Sequence, residues 1–289
     1  MVAHDAHGSH DTGHGPENIT FRIARQDKPG GQRYWETFAI PYQPGMNVIS
    51  CLQAIAKNPT PVGESKASTP VVWDCNCLEE VCGACTMVVN GKVRQACTAL
   101  IDDLGRDSGG DIVLEPMSKF PVVRDLFVDR KRMFHGLKKV HAWIPVDGYH
   151  EAGPGPAQSP HQQEESYPLS ECMTCGCCME VCPQYVKIEP RRGAGESDAT
   201  YSERETRLHD EAFLGPAVIS QAVLFNQHPT GEMTKDERIE ALMGPGGITD
   251  CGNAQNCVKI CPKEIPLTRS IAKAGRQTTI YSLSRWLLK

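Results

Sequence analysis

The N-terminal part of the chain shows the alternation of apolar and polar residues that is typical of half-buried strands. The segments ITFRIARQD (19–27) and YWETFAIPY (34–42) both alternate in this way, and the turn residues between them predict a hairpin. The next segment, 46–59, has apolar residues at helical spacing and ends in a proline, which predicts a helix. Cys51 lies on the apolar face of that helix and is interpreted as a small buried hydrophobe.

A second hairpin and a further strand complete this part of the pattern. The pair Asn90-Gly91 stands between short apolar runs in 86–96, and such a pair is the strongest short signal for a tight hairpin. The segment DIVLEPM (111–117) predicts another strand. Together these elements predict a compact α+β domain that spans residues 18–120.

The second half, residues 121–289, has the pattern of a mainly helical domain. Residues 120–140 carry an apolar stripe at helical spacing, whose members are Val122, Leu126, Met133, Leu137 and Val140. Basic residues such as Arg130 are interpreted as the solvated face of this helix. The C-terminal segment 281–289 has aromatic, apolar and basic residues that suit either an interface with a membrane anchor or lipid surface, or packing on the chain's own core.

Between these segments the sequence predicts irregular structure and one capped helix. A Gly/Pro/Gln/Ser-rich stretch, 151–166, is interpreted as a connector, and the charged segment 191–211 as an exposed excursion. Thr234 and Glu237 have the spacing of a capping box at the start of the helical pattern in 234–244.

Composition and charge narrow the classes of function. A length of 289 residues and a hydrophobic fraction of 40% describe a core-forming chain with room for more than one domain. The net charge of −5 gives no reason to expect nucleic acid as a partner.

No window has the ~18 apolar residues of a membrane span, and the N-terminus lacks a secretory or transit pattern. Residues 1–17 carry spaced histidines that could bind a metal ion, but their polar composition favours a disordered tail.

Fourteen cysteines are compatible with disulfides, zinc sites or iron–sulfur clusters. Disulfides fit poorly, because no secretory signal directs the chain to an oxidising compartment. The spacing of the cysteines distinguishes zinc sites from iron–sulfur clusters.

The first cysteine group has the spacing C-x(4)-C-x(2)-C-x(11)-C and comprises Cys77, Cys82, Cys85 and Cys97. Thiolates in this spacing are typical of plant-type 2Fe-2S ferredoxins, whereas structural zinc usually has close cysteine pairs. Gly83 and Ala84 are interpreted as small residues that let backbone amides approach the cluster sulfurs. Cys75 is left over as a nearby free thiol.

Two further groups resemble the C-x(2)-C-x(2)-C-x(3)-C-P run of bacterial ferredoxins. The segment CMTCGCCMEVCP (172–183) matches this run, with Cys177 off the pattern. The segment CGNAQNCVKICP (251–262) matches it except that Ala254 stands where the second cysteine belongs.

The ligands are expected to cross between these groups, because in two-cluster ferredoxins the fourth cysteine of each run ligates the cluster of the other run. The predicted ligands are Cys172, Cys175, Cys178 and Cys261 for a 4Fe-4S cluster, and Cys182, Cys251 and Cys257 for a 3Fe-4S cluster. Ala254 cannot bind metal and would leave the second cluster one iron short. The alternative is plain divergence at Ala254, with water or another side chain at the fourth corner.

The chain lacks the motifs of a substrate-converting enzyme. It has no dinucleotide fingerprint, phosphate-binding loop or nucleophile elbow. A chain that conducts electrons without generating or using them is expected to work between partners. An alternative of a different class is a zinc-stapled interaction module without a redox role.

Long motifs between residues 19 and 268 resemble those of one protein family. They are WDCNCLEEVCGAC, FPVVRDLFVDR, CMTCGCCMEVCP, LFNQHPTG and CGNAQNCVKICPKEIPLT. On these motifs the chain resembles the iron–sulfur subunits of succinate dehydrogenase and fumarate reductase. The resemblance implies a plant-type 2Fe-2S ferredoxin-like (β-grasp) domain followed by a helical bacterial-ferredoxin-like domain. The cysteine roles that it implies agree with those predicted from spacing.

The resemblance also implies partners and a direction of electron flow. The partners would be a flavoprotein subunit with FAD and a membrane-anchor cytochrome b subunit with haem b. Electrons would pass from FAD through the 2Fe-2S, 4Fe-4S and 3Fe-4S clusters to membrane quinone in a succinate:quinone oxidoreductase, or in reverse in a fumarate reductase. The chain would lie peripherally on the cytoplasmic face of the bacterial cytoplasmic membrane, with no substrate-oxidising site of its own.

Within the family the chain resembles most the menaquinone-linked, Bacillus-like type. Ubiquinone-reducing members usually place a tryptophan and a histidine near the quinone, where this chain has Lys187 and Gly252. Their quinone-site chemistry therefore does not carry over. The resemblance implies that Pro183, Gly252 and Ala254 lie close to the quinone.

Overall fold

The computed structural model describes residues 18–108, 110–144 and 156–288. The expected N-terminal tail, residues 1–17, and its histidines lie outside the described residues. The described residues build separate hydrophobic cores, one against a β-sheet and one among helices.

A five-stranded mixed sheet forms the N-terminal part of the fold, as the alternating pattern predicts. Its strands are β1 (Asn18–Arg25), β2 (Tyr34–Pro41), β3 (Thr86–Val89), β4 (Lys92–Gln95) and β5 (Ile112–Glu115). The strand order is β2-β1-β5-β3-β4, with β1 and β5 parallel and the other neighbouring pairs antiparallel. Both predicted hairpins are confirmed, and Asn90-Gly91 forms the tight turn between β3 and β4 with positive φ at both residues.

The helix expected after the first hairpin is present and packs on the sheet core. It is α1 (Val48–Lys57), and α2 (Ile101–Ser108) follows β4. Asn47 and Ser50 form a capping box at the start of α1, each side chain bonding the backbone amide of the other. Cys51 is fully buried on the core side of α1, and burial raises its pKa to about 12. Its interpretation as a core residue is confirmed.

Residues 120–140 differ from the helix that their apolar stripe predicts. They form a short hairpin, β6 (Val122–Arg124) and β7 (Phe127–Val128), followed by α3 (Lys131–Lys139). Asp125 is the cause, because it turns the chain with a φ of 48° and accepts hydrogen bonds from the amides of Gln26 and Val72. Its carboxylate also lies 2.9 Å from the buried guanidinium of Arg25. These buried bonds hold the turn of the hairpin against the sheet and outweigh the helical pattern.

The rest of the chain is mainly helical, as predicted. The helices are α4 (Pro160–Ser170), α5 (Cys177–Glu180), α6 (Asp198–Glu211), α7 (Pro216–Gln227), α8 (Lys235–Met243), α9 (Asn256–Ile260) and α10 (Leu267–Leu287). Most of α7 is buried, and it packs against α4, α8 and α10 at the centre of the second core. The short helices α5 and α9 follow the cysteine loops and pack against each other.

Two segments expected to be irregular are partly helical. The second half of the connector 151–166 opens α4, where Ser159 and Gln162 form a capping box. Most of the charged segment 191–211 is α6, which begins with a side-chain cap from Ser197. Sequence composition suggested loops here, and these N-terminal caps explain why the chain forms helices instead.

The predicted capping box at Thr234 and Glu237 is wrong. The Thr234 hydroxyl accepts a hydrogen bond from Arg238 at 2.9 Å and donates to the carbonyl of Gly231. Arg238 is fully buried and also donates to the carbonyls of nearby loops. The need to satisfy this buried guanidinium therefore determines the position of the Thr234 side chain.

The C-terminal helix α10 begins in the second core and ends at the surface. Its first half packs against α7 and α8. The large apolar side chains of its last turns are exposed, namely those of Ile280, Leu283, Trp286, Leu287 and Leu288. Packing of this end on the chain's own core, one of the two expectations for 281–289, is therefore wrong for these side chains. No helix in the described part of the chain is both long and apolar enough to cross a membrane.

Candidate functional site

The first cysteine group lies in the loop before β3 and just after β4. Backbone amides converge on the sulfur of Cys77, from Glu79 at 3.4 Å, Val81 at 3.3 Å and Cys82 at 3.3 Å. These bonds, led by the one from Glu79, lower the pKa of Cys77 to about 7. Amides directed at a sulfur stabilise the thiolate, which is the form that binds iron.

Unusual backbone conformations aim these amides at the sulfurs. Leu78, Glu80 and Gly83 all have positive φ, of 62°, 54° and 67°. Non-glycine residues in this region carry strain, and such strain is concentrated at functional sites. The interpretation that Ala84 lets its amide approach a sulfur agrees with the 3.4 Å hydrogen bond from its N–H to Cys82.

The four cysteines of this group come together as pairs. The amide of Cys77 approaches the sulfur of Cys82 at 3.5 Å, and Cys85 is hydrogen-bonded to Cys97. Burial raises the pKa of Cys85 to about 12. Two thiol pairs suit a two-iron cluster, because each iron can take two thiolates. Cys75 is exposed and lies outside these pairs.

The second site is a cavity where the two later cysteine runs meet. The predicted four-iron ligands line it, namely Cys172, Cys175, Cys178 and Cys261. Burial raises the pKa of Cys172, Cys178 and Cys261, so negative charge on these sulfurs needs a metal to offset it. Cys261 comes from the far run, and the structure brings it to the first run as the crossing rule predicts.

Cys177, which falls off the ligand spacing, lies beside one predicted ligand. It is buried, and its thiol donates a hydrogen bond to the sulfur of Cys175. This bond is the main cause that lowers the pKa of Cys175 to about 7, and the charge of Arg130 acts in the same direction. The amide of Gln95 lies 3.5 Å from the Cys177 sulfur. Cys177 therefore stabilises the thiolate of a neighbour.

The third site is a cavity beside the start of α9. Its walls include the predicted three-iron ligands Cys182, Cys251 and Cys257, together with Ala254. Pro183 and Gly252, predicted to be near the quinone, line the same cavity. Asn253 and Gln255 on either side of Ala254 have φ of 51° and 60°. This backbone places Ala254 in a wall where the ferredoxin run would have a thiolate.

The structure thus groups the cysteines as the spacing predicts, while the ligand roles themselves stay a prediction. Among residues 18–108, 110–144 and 156–288, no three His, Cys, Asp or Glu side chains are placed to share a single metal ion.

Sequence reasoning missed residues that connect the first and second sites. Arg130 was interpreted as part of a solvated face, but its side chain is only 18% exposed and donates to the carbonyl of Gly83 at 2.7 Å. Gln95 reaches from the sheet domain to Cys177. Neither residue lies within a cysteine run, so no local spacing could have identified it.

Comparisons with known proteins agree with this geometry. A 2Fe-2S iron-sulfur cluster binding domain matches residues 20–135, and a 4Fe-4S dicluster domain matches residues 168–265. The chain is 53% identical over 264 residues to the succinate dehydrogenase iron-sulfur subunit of Bacillus subtilis, which covers 91% of this chain and 94% of that protein.

More distant relatives match most of the chain. The fumarate reductase iron-sulfur subunit of Wolinella succinogenes is 26% identical over 263 residues, covering 90% of this chain and 96% of that protein. A solved structure of the Mycobacterium smegmatis Sdh1 complex in the apo form contains a chain with 20% identity and a TM-score of 0.65. The match covers 92% of this chain and 98% of that one, which shows the same α+β architecture.

Proposed function

The chain belongs to the family of succinate dehydrogenase iron–sulfur subunits, and on that premise we propose how its cysteine sites carry electrons from a flavoprotein to membrane quinone. It is the electron-transfer subunit of a succinate:quinone oxidoreductase, with a 2Fe-2S domain and a 4Fe-4S dicluster domain. The fumarate reductase relative is more distant than the succinate dehydrogenase relative, which favours succinate oxidation over the reverse reaction.

The proposed cluster ligands are supported by the crossed arrangement of the two later cysteine runs. Each of the two cavities is lined by cysteines from both runs, so neither run alone completes a site. The proposed ligands are Cys77, Cys82, Cys85 and Cys97 for 2Fe-2S, Cys172, Cys175, Cys178 and Cys261 for 4Fe-4S, and Cys182, Cys251 and Cys257 for 3Fe-4S. Bound clusters supply one-electron storage, and the chain contributes thiolates, amide hydrogen bonds and exclusion of water.

The third cluster is assigned as 3Fe-4S because of Ala254. Its position in the cavity wall leaves three cysteines for a cluster that otherwise takes four. The same cavity includes Pro183 and Gly252, so electrons would leave the chain here, toward a quinone bound against this wall. We assign menaquinone, since Lys187 and Gly252 replace the side chains found near ubiquinone.

The proposed partners follow from membership of the family. A flavoprotein with FAD would dock near the 2Fe-2S site, and a cytochrome b anchor with haem b would dock near the 3Fe-4S site. The chain would then be peripheral on the cytoplasmic face of the bacterial cytoplasmic membrane. We also propose that its domains span residues 18–120 and 121–289.

The purified protein should contain about nine iron atoms and about ten sulfides per chain. Oxidised protein should give an EPR signal, because a three-iron cluster is paramagnetic when oxidised whereas the other two clusters are silent. Addition of succinate to the intact complex should then reduce the clusters. A few zinc atoms in place of iron would support the zinc-stapled module instead and contradict the proposed function.

The exposed end of α10 is proposed to bind the membrane anchor. Trp286 is 74% exposed, and the start of the same helix lines the cavity of the proposed 3Fe-4S site through Thr268 and Ile271. The double variant Trp286→Ser/Leu287→Ser should release the chain and its flavoprotein from membranes. Succinate oxidation with a soluble electron acceptor should persist, because the cluster cavities are untouched.

Met233 offers a matched control for this prediction. It is 83% exposed but lies in the turn before α8, so Met233→Ser removes a similarly exposed apolar side chain elsewhere. Membrane fractionation should leave this variant bound. Release of both variants, or of neither, would contradict the assignment of the anchor interface to α10.

A further inference from the structure

We propose that the positive charge of Arg130, fixed at the contact between the first and second cluster sites, makes both clusters easier to reduce. This inference rests on the proposed function, because it assumes that the first and second sites hold clusters that exchange electrons.

The two sites touch through their backbones. A Cβ atom added at Gly83 would lie 2.6 Å from the Cα and 2.7 Å from the Cβ of Cys175. Gly83 lies between two proposed ligands of the first site, and Cys175 is a proposed ligand of the second. Contact at this distance leaves no room for an intervening side chain, and such proximity favours electron transfer between the sites.

Arg130 binds the loop at this contact. Its guanidinium donates to the carbonyl of Gly83 at 2.7 Å and approaches that of Ala84 at 3.5 Å. It also lies 3.4 Å from the carboxylate of Asp74, which precedes the first site in the chain. Arg130 stands immediately before α3, and α3 packs into the helical core through the buried Met133. The guanidinium therefore connects the helical core to the loop of the first site.

The charge of Arg130 acts on both sites. A guanidinium stays protonated in proteins, and with 18% of its side chain exposed its field is weakly screened by solvent. It also lies close to the second site, because the Gly83 carbonyl that it binds belongs to the residue that contacts Cys175. Reduction adds an electron to a cluster, so a fixed positive charge nearby favours the reduced form. Asp74 offsets this charge only in part, because its side chain is 40% exposed.

A second connection keeps the sites in contact independently of Arg130. The side-chain amide of Gln95 lies 3.0 Å from the Thr86 hydroxyl and 3.5 Å from the Cys177 sulfur. The Thr86 hydroxyl donates in turn to the carbonyl of Gly83 at 2.8 Å. Because this buried chain of hydrogen bonds remains when Arg130 is shortened, a variant at 130 tests the charge with the contact still assembled.

An EPR-monitored redox titration of the purified complex tests the proposal. In Arg130→Gln the midpoint potentials of the 2Fe-2S and 4Fe-4S clusters should both shift to more negative values, and that of the 3Fe-4S cluster should stay unchanged. Arg130→Lys keeps the charge and should return both potentials most of the way to those of the wild type. Lys131→Gln is the control, because Lys131 pairs with Glu205 and Asp129 away from the loop.

If the 2Fe-2S and 4Fe-4S clusters have the same midpoint potentials in Arg130→Gln as in Lys131→Gln, the proposal is overturned. If Arg130→Gln loses a cluster, Asp74→Asn replaces it as the test, because removal of the carboxylate that opposes Arg130 should shift both potentials to more positive values. Unchanged potentials in Asp74→Asn would also overturn the proposal. So would potentials that shift as far to the negative in Arg130→Lys as they do in Arg130→Gln. Failure of succinate to reduce the wild-type clusters would instead contradict the proposed function, so the two outcomes are distinguishable.

Discussion

Replacement of Ala254 by cysteine should convert the proposed 3Fe-4S cluster into a 4Fe-4S cluster. Ala254 lines the same cavity as Cys182, Cys251 and Cys257 and stands where the ferredoxin run has its second cysteine. A thiolate there would supply the fourth ligand and retain the fourth iron. The EPR signal of the oxidised protein should therefore disappear, and the iron content should rise by about one atom per chain.

A second cysteine variant separates ligand position from the mere presence of a thiol. Asn256 also lines the cavity, but it begins α9 and does not match the ligand spacing. Asn256→Cys should keep the oxidised signal. Retention of the signal in Ala254→Cys would mean that Ala254 is ordinary divergence, with water or another side chain at the fourth corner.

The variant Gly83→Ala should destabilise the protein and disrupt its first two cluster sites. The new methyl group would lie 2.6 Å from the Cα of Cys175, so backbone must move on one side of the contact. The φ of 67° adds the cost of a left-handed conformation for alanine. We expect a loss of about 3–5 kcal/mol in the free energy of unfolding, with loss of iron from the 2Fe-2S and 4Fe-4S sites.

Gly91 provides the control for Gly83. It has a φ of 76°, and among the described residues no atom beyond its chain neighbours lies within 4 Å of a Cβ placed there. Gly91→Ala should therefore cost about 1 kcal/mol, from the backbone conformation alone. Thermal unfolding and iron analysis of both variants measure the difference. Equal stability and iron content in the two variants would show that the contact between Gly83 and Cys175 is not close in solution.

The contact at Gly83 adds a second role to one of the small residues of the first loop, which the sequence predicts only to let backbone amides approach the cluster sulfurs. Ala84 does let its amide approach a sulfur. Gly83 is required by both its backbone conformation and the approach of Cys175 from the other core. The sequence of the loop indicates the first requirement but cannot indicate the second, because Cys175 is distant in sequence.

Residues 120–140 show why a local pattern can fail. Their apolar stripe is real, but its members serve different cores: Leu126 packs with the sheet, while Val122 and Met133 pack with the helices. Asp125 accepts backbone hydrogen bonds from residues far away in the chain and pairs with Arg25. A helical periodicity cannot represent these contacts, so the chain crosses from one core to the other as a hairpin and then a helix.

The sequence by itself determined the strands and hairpin turns of the five-stranded sheet and the grouping of the cysteines. Alternation, turn residues and ligand spacing are properties of residues that are close together in the chain. The crossing rule then relates the ligand spacing of one cysteine run to that of the other. Tertiary structure alone decided the contact of Gly83 with Cys175, the partial burial of Arg130 and the hydrogen bonds of Cys177. These contacts depend on which surfaces of the two cores face each other. Local sequence patterns do not predict this, because the residues involved are far apart in the chain.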